Sequence, residues 1–272
     1  MIRHRHGSEY FLFTQHDHAL LSGRLAERIS GQPVARPSDR AIQGIALHDC
    51  GWPLHDDRPI LNDRGEPLHV FEAPPWVATQ VWSASARRAA NKDPYTGLLV
   101  SIHVLNLSGM SLASHRSPHE LFELNKFQHQ QVEFQEDLRK RLGMRVDAPL
   151  TLGLARPNTS PEEDQLLFDY RLLRALDQLS LALLCSEDLF HSIDGLLTEP
   201  GGQAIQIRLE RPADFHVRLN PWMFDAPRLE LSVSFRRMPI QPFGDQGEFR
   251  FAYDRAAVEQ VDVIVETGTA RL

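Results

Sequence analysis

The chain has 272 residues, of which 42% are hydrophobic and 24% are charged, and this composition excludes a disordered or collagen-like protein. Its 36 acidic residues outnumber its 29 lysines and arginines, whereas a general nucleic-acid binder normally carries an excess of positive charge. The two cysteines, Cys50 and Cys185, exclude both a disulfide framework and a Cys-x-x-Cys motif.

Hydrophobic periodicity predicts six helices after a short amino-terminal strand or arm over residues 1–14. In the first helix Leu21, Leu25 and Ile29 recur every four residues, and Gly31 follows its end. The predicted helices cover residues 16–30, 38–49, 76–91, 94–109, 117–142 and 161–185. Between the second and third, residues 51–75 contain five prolines and two glycines, which predict a long functional loop or lid over the end of the second helix.

After about residue 200 the pattern alternates between polar and apolar residues, which is typical of antiparallel strands. The alternating segments are AIQIRLERP, FHVRLNPWMF, RLELSVSFRRMPI, EFRFAYD and VDVIVETG. We therefore expect a mainly α fold with a small C-terminal antiparallel β extension. The expected domains are a helical body over residues 1–195 and the extension over residues 196–272.

The amino terminus has no long apolar core after its basic residues, so it does not resemble a secretion signal. No stretch reaches the ~18 apolar residues of a membrane-spanning helix. We therefore expect a cytoplasmic protein that does not associate with membranes.

Histidines and aspartates occupy positions that face inward on the first two predicted helices. His18 lies three residues before Leu21, on the apolar side of its helix. Asp49 lies four residues after Ile45, and His48 precedes it at the helix end, where both side chains can converge on one ion.

Two later helices each add one inward polar residue. His103 lies four residues after Leu99, and Asp177 lies four residues after Leu173 and four before Leu181. Four separate helices thus each direct a metal-binding group toward the core.

An ionised carboxylate that is buried alone costs several kcal/mol, so the inward aspartates need partners. For Asp177 the partner could be Arg171 or Arg174, and His18 and His103 could be ordinary core histidines. A divalent metal would instead satisfy all of the inward groups together. The candidate metal ligands are His18, His48, Asp49, His103 and Asp177. Nitrogen and oxygen donors without thiolate suit Mn, Fe, Co, Ni, Zn or Mg.

The order His18, then His48-Asp49, then Asp177 resembles the HD superfamily of metal-dependent phosphohydrolases. The segment LRALDQLSLALL is similar to the last helix of that superfamily. This resemblance covers roughly residues 15–185. It implies an HD-like helical bundle in which these four residues hold a metal that activates water to hydrolyse a phosphate ester.

A closer resemblance, over nearly the whole chain, is to an uncharacterised bacterial family of unknown function. The strings that carry it are QHDHALLSGRLA, ALHDCGWPLHDDRPILNDRGEP, YTGLLVSIH and LNPWMF. This resemblance implies no activity.

The HD resemblance implies catalytic roles for Asp49 and His103, the latter as a fifth ligand or as a hydrogen-bond donor to the phosphate. The residue that assists catalysis after the superfamily's His-Asp pair has no clear equivalent here. His55, Asp56 or Asp57 of the following loop are the candidates to replace it, and we expect Asp57 to be catalytic. The expected substrate is a small phosphorylated or otherwise polar metabolite.

Two other functions fit the same residues. Two irons in an HD-like site, with His103 among the ligands, would catalyse an oxygen-dependent oxidation. A degenerate site would leave a non-enzymatic binding module built on the β extension. No phosphate-binding glycine loop, dinucleotide-binding motif or nucleophile elbow occurs in the chain. A homodimer is an expected assembly, and nucleic acid is not an expected partner.

Overall fold

The computed structural model describes residues 1–112, 117–146 and 160–268. Strands lie toward both ends of the chain, and helices occupy most of the described part between them. The helices are α1 (Gln15–Glu27), α2 (Asp39–Leu47), α3 (Pro53–Asp56), α4 (Pro75–Lys92), α5 (Pro94–Leu112), α6 (Pro118–Arg141), α7 (Pro161–Leu184) and α8 (Gln246–Arg255). The strands are β1 (Ile2–His6), β2 (Glu9–Phe13), β3 (Ser192–Leu197), β4 (Ala204–Ala213), β5 (His216–Asn220), β6 (Arg228–Pro239) and β7 (Val258–Thr267).

The seven described strands form one mixed sheet in the order β1-β2-β6-β7-β5-β4-β3, and the sheet curls into a half-barrel. Neighbouring strands are antiparallel, except that β5 and β7 are parallel. In the pair of β2 and β6, Tyr10 lies opposite Met238. This pairing joins the two ends of the chain.

The expected fold class is therefore wrong. The protein has an α/β fold with 49% helix and 23% strand, and the sheet is not a small C-terminal antiparallel extension of a helical bundle. From Tyr10 to Phe13 the sequence of β2 is apolar because both faces of the strand are buried there: Phe11 and Phe13 belong to the main core, while Tyr10 and Leu12 pack in the cluster that contains Phe249. A strand buried on both faces shows no alternation, and its pairing with β6 leaves no local pattern.

Strands from both sides of the expected domain boundary between residues 195 and 196 join this sheet. The division into two domains stays a prediction.

The segment EFRFAYD was expected to be a strand and is instead part of α8. Asp245 caps this helix, because its carboxylate accepts hydrogen bonds from the backbone N–H groups of Gly247 and Glu248. Phe249 and Tyr253 are four residues apart and buried, whereas Phe251 is exposed. Aromatic residues at every second position fit both periods, so alternation alone misassigned this segment.

The other helices form a layer that rests on the sheet through α1, which contacts β6, and α7, which contacts β3 and β5. Helix α7 begins with a capping box: Ser160 Oγ accepts from the N–H of Glu163, and the Glu163 carboxylate accepts from the N–H of Ser160. Its inner face then contributes a continuous row of leucines to the core.

Helix α5 is long and apolar enough to cross a membrane, although no such segment was expected from the sequence. More than half of its most apolar part, 56%, is buried inside the protein, where it contacts α2, α4, α6 and α7. A buried apolar helix of this kind is typical of the core of a globular protein.

Candidate metal centre

The five candidate ligands meet in one buried cluster between four helices. They are His18 on α1, His48 and Asp49 at the carboxyl end of α2, His103 on α5 and Asp177 on α7. All five have relative exposures of 8% or less. The sequence predicts that these five groups converge, and the structure brings them together.

Close packing of α1 against α2 brings the first two histidines together. A methyl group on Gly23, in α1, would lie 2.6 Å from the Cβ of Ala46 in α2, so only a glycine allows this approach. As a result the Nε2 atoms of His18 and His48 are 3.3 Å apart. Gly23 could not be identified as part of the site from the sequence, because its effect depends on a helix crossing.

Hydrogen bonds behind each histidine orient its ring. His48 Nδ1 lies 2.7 Å from the carbonyl oxygen of Ile45 and must donate to it, which directs Nε2 into the cluster. His18 Nδ1 lies 2.8 Å from Ser180 Oγ, and that hydroxyl lies 2.9 Å from the carbonyl oxygen of Asp177. With a metal ion bound, Nδ1 would donate to Ser180, Ser180 would donate to this carbonyl, and His18 Nε2 would present a lone pair to the ion. Such partners commonly fix the tautomer of metal-binding histidines.

Ser180 was not among the residues predicted from the sequence, because serine is common in helices. Its position three residues after Asp177 places both on one face of α7, and this spacing was the available clue.

The polar atoms are spaced as metal ligands are spaced. Asp177 Oδ1 lies 3.0 Å from His18 Nε2 and 3.6 Å from His48 Nε2, and Asp49 Oδ2 lies 3.8 Å from His48 Nε2. Ligands bound tetrahedrally at ~2.1 Å are roughly 3.4 Å from one another. These three distances are close to those expected between side chains that share a divalent ion.

His103 extends the cluster on the other side of Asp177. Its Nε2 lies 3.7 Å from Asp177 Oδ2, the carboxylate oxygen that does not contact His18. Potential ligand atoms of His48, His103 and Asp177 form a group within 4.8 Å, and those of His18, His48 and Asp49 form another. The two groups share His48, so the donors are arranged for one ion or for two adjacent ions.

Burial and mutual charge shift the pKa values of the cluster. Burial alone would raise the pKa of Asp177, but hydrogen bonds from His18 and His48 hold it well below the usual range. Burial raises the pKa of Asp49. Burial opposes protonation of His48, yet Asp49 and Asp177 outweigh it and raise the pKa to about 9. Burial lowers the pKa of His103 to about 3. His48 thus keeps a positive charge beside the two carboxylates, a position in which a metal cation would also be stabilised.

A cavity of about 290 Å³ opens onto the cluster. Asp49, His103 and Asp177 line its polar side, the floor, whereas His18 and His48 do not line it. The walls are mostly apolar. They are formed by Gln15, Trp52, Val70, Phe71, Ala73, Ala78, Trp82, Leu107, Met110, Ser111 and Leu181. This apolar wall could not be anticipated from the sequence, because its residues come from segments that lie far apart in the chain.

The loop over residues 51–75 contributes to the cavity by its two ends and not by its acidic residues. Trp52, Val70 and Phe71 line the cavity. Asp57, the expected catalytic residue of the loop, is exposed in a different cleft, which is lined by residues such as Arg236. The short helix α3 directs Asp57 there.

The neighbouring Asp56 is buried and has a structural contact. Its Oδ2 accepts a hydrogen bond of 2.7 Å from the backbone N–H of Gln15, the first residue of α1. This contact ties the loop to the helix that carries His18. His55 faces outward and lies 3.1 Å from the Gln80 side chain.

Comparison with known proteins identifies a family for the chain. A family model described as a protein of unknown function (DUF3891) matches residues 1–239, a range that includes every candidate ligand. No curated protein matches the chain. No solved structure matches it. The expected resemblance to an uncharacterised family is thereby confirmed.

Proposed function

We propose that this chain, which belongs to the DUF3891 family of proteins of unknown function, is a metal-dependent hydrolase. Its substrates would be phosphate esters that carry an apolar substituent. The observation that carries this proposal is the convergence of three histidines and two aspartates, in two overlapping groups at metal-ligand spacing, beside an open cavity. The order of these residues along the chain is that of the HD superfamily, and the assignment to that superfamily is part of the proposal.

His18, His48, Asp49 and Asp177 would hold a divalent ion, with Mn, Fe, Co, Ni, Zn and Mg as the candidates for their nitrogen and oxygen donors. When bound, such an ion lowers the pKa of water and polarises a phosphoryl oxygen. His103 lies beside Asp177 and is kept neutral by burial, so it can serve as a further ligand or donate one hydrogen bond to the substrate.

The cavity wall supports a substrate with an apolar part. Trp52 and Trp82 are both nearly buried and present broad apolar surfaces above the aspartates. Binding an aromatic or aliphatic group there would exclude water from the floor, where the electrostatic interactions are then stronger. This wall modifies the sequence-based expectation of a small polar metabolite.

Charge balance favours a phosphodiester over a phosphomonoester. One divalent ion neutralises the charges of Asp49 and Asp177, so it leaves no net positive charge to balance the two negative charges of a monoester. A diester brings a single negative charge, and its two substituents can use the apolar wall. We therefore expect the protein to hydrolyse diesters faster than monoesters.

The test compares hydrolysis of bis(p-nitrophenyl) phosphate and p-nitrophenyl phosphate by untagged protein, with each candidate metal and with chelator. We expect metal-dependent cleavage with the diester preferred by at least ~10-fold, and a loss of about 100-fold in the Asp177→Asn variant. Asp169→Asn is the matched control: Asp169 is a buried aspartate of the same helix, but it is held by Tyr95 and Gln165.

Metal-independent cleavage, or equal losses in both variants, would contradict the proposal. Cleavage of neither ester by metal-loaded protein would remove the phosphohydrolase assignment and leave the metal site itself to be judged by metal binding.

A second candidate is an iron-dependent oxygenase, and the contact between His103 and Asp177 favours it. This contact gives the cluster a second group of donors next to the first, which suits two adjacent irons. Loading with ferrous iron without oxygen, followed by exposure to air, should then give an optical absorption band and oxygen uptake that His103→Ala abolishes. Unchanged spectra would exclude this candidate.

The cellular setting is also part of the proposal. The burial of α5 is consistent with a soluble protein, and we propose that it acts in the cytoplasm on a small molecule. A homodimer stays a prediction.

A further inference from the structure

A second cluster of potential ligands lies on the sheet, away from the core site. His4 and His6 are two residues apart on β1 and therefore point to the same face. Asp214 lies in the turn between β4 and β5. Although β2, β6 and β7 separate β1 from β5 in the sheet order, the curl of the sheet brings this turn against β1.

The atoms of this cluster are at the spacing of metal ligands. Asp214 Oδ2 lies 3.5 Å from His4 Nε2 and 3.3 Å from His6 Nδ1, and the three atoms all lie within 4.8 Å of one another. These distances match the roughly 3.4 Å that separates ligands of a tetrahedral ion bound at ~2.1 Å.

His4 is prepared for a ligand. It is fully buried, and its Nδ1 donates to the carbonyl oxygen of Leu184, at the end of α7, over 3.0 Å. This bond leaves the lone pair on Nε2, and Nε2 has no hydrogen-bond partner. A lone pair that faces the Asp214 carboxylate is unfavourable without a cation between them.

The aspartate is also held in place. Its other oxygen, Oδ1, lies 3.3 Å from Arg211, whose guanidinium is anchored by the carbonyl oxygens of Ser186 and Glu187. Oδ2 thus remains for the cluster. The next residue, Phe215, has φ of 60°, and its ring stacks on His4 at 4.3 Å. A non-glycine residue in this conformation is uncommon, and here it fixes the turn that presents Asp214.

We propose that His4, His6 and Asp214 form a second metal site, selective for a transition ion such as Zn²⁺, Ni²⁺ or Cu²⁺ over Mg²⁺ or Ca²⁺. Two imidazoles and one carboxylate are the donors that these ions prefer. His6 and Asp214 are about half exposed, so a fourth position is open to water. An ion at this position links β1 to the β4–β5 turn and thereby stabilises the curled sheet. This proposal is independent of the proposed catalytic function.

The test is zinc binding by isothermal titration of untagged protein, performed in the Asp177→Asn background, which removes the core site. We expect one zinc equivalent in this background, accompanied by a rise in melting temperature. Adding His6→Ala should abolish both effects. The matched control is His191→Ala, because His191 lies 3.6 Å from Asp188 in an exposed pair that has no third ligand in the described part of the chain.

His6 is half exposed, so its replacement should leave the fold intact, and circular dichroism of the metal-free variants verifies this. His6→Ala in the otherwise unchanged chain should retain the phosphodiesterase activity while binding one equivalent less of zinc. Zinc binding that is the same with and without His6, or that Mg²⁺ competes away at equal concentration, would overturn the second site.

Discussion

Some residues orient the candidate metal ligands without being ligands themselves. The Ser180 hydroxyl lies between His18 and the backbone of α7 and fixes the ring that would bind the metal. Replacing it leaves the ligand set complete but frees one ring to rotate or change tautomer.

We predict that Ser180→Ala lowers metal affinity by about 10- to 100-fold. The reason is that His18 Nε2 is then no longer fixed as the lone-pair nitrogen. The measurement is a titration with Zn²⁺ or Mn²⁺ in the presence of a competing chelator. Ser108→Ala, which removes a buried hydroxyl of α5 bonded to Leu105 and Gln128, should leave the affinity unchanged. Equal affinities for wild type and Ser180→Ala would refute this orienting role.

His69 should make stability depend on pH. Its Nδ1 caps the short 3-10 helix Val70–Glu72 by accepting from the N–H of Phe71, and burial lowers its pKa from 6.5 to about 4. Below pH 6.5 the unfolded chain takes up a proton that the folded chain refuses, so this contribution to stability is lost as the pH falls from 6.5 toward 4.

The predicted size of this effect is roughly 1–2 kcal/mol between pH 7 and pH 5. An asparagine in place of His69 would cap the helix without titrating. Urea unfolding of the His69→Asn variant should therefore show a smaller loss of stability over this range than wild type. If the free energy of unfolding fell equally with pH in the two proteins, His69 would take up its proton as readily in the folded state as in the unfolded state.

The convergence of the five candidate ligands could be predicted from the sequence, because four of them lie at a helical spacing from apolar residues and His48 precedes Asp49 at a helix end. The catalytic role expected for Asp57 rested only on its position after the His-Asp pair. Nothing in the sequence showed that α3 directs this side chain into another cleft. The two adjacent aspartates differ in their surroundings: Asp56 accepts a hydrogen bond from Gln15, whereas Asp57 lines that cleft.

At the level of elements, the long helices and several C-terminal strands could be predicted, but the pairing of the strands into one sheet could not. A helix is stabilised by contacts within one segment, so its 3.6-residue period is visible in α4, α5, α6 and α7. The sheet depends on pairing between distant segments, such as β2 with β6, and no local period encodes such a partner. The segment EFRFAYD, predicted as a strand but part of α8, shows that a short alternation of aromatic residues fits either a strand or a helix.

The crossing of α1 and α2 should control metal affinity from a distance. We predict that Gly23→Ala destabilises the protein by about 1–3 kcal/mol and weakens metal binding, since the added methyl clashes with Ala46 and separates His18 from His48. The measurements are chemical unfolding and metal titration of the same preparation.

Gly109→Ala is the matched control, because a methyl group there meets nothing within 4 Å and Gly109 is exposed in α5. It should stabilise the protein by up to ~1 kcal/mol, as alanine is the better helix former. A Gly23→Ala protein with wild-type stability and affinity would show that the two helices can move apart without consequence.

At the level of the whole molecule, the sheet connects the two ends of the chain and supports the helices that carry the site. Phe11 of β2 stacks on Phe235 of β6, with ring centroids 4.2 Å apart, and β6 also contacts α1. Removing β6 would expose an apolar edge at β2 and one side of the core.

We therefore predict that a fragment of residues 1–195 does not fold on its own. It should lack a cooperative thermal transition, bind a dye for exposed apolar surface and bind no metal at the core site. A fragment that melts cooperatively and binds one metal ion would instead support the two-domain division expected from the sequence.

The central claim is that His18, His48, Asp49 and Asp177 hold a metal ion. Anomalous X-ray diffraction from crystals of untagged protein, purified without chelator and soaked in Mn²⁺ or Zn²⁺, tests this most directly. We predict an anomalous peak about 2.0–2.3 Å from the two Nε2 atoms and from oxygens of both carboxylates. Crystals that show no peak among these four residues at millimolar metal, with the side chains arranged as described, would contradict it.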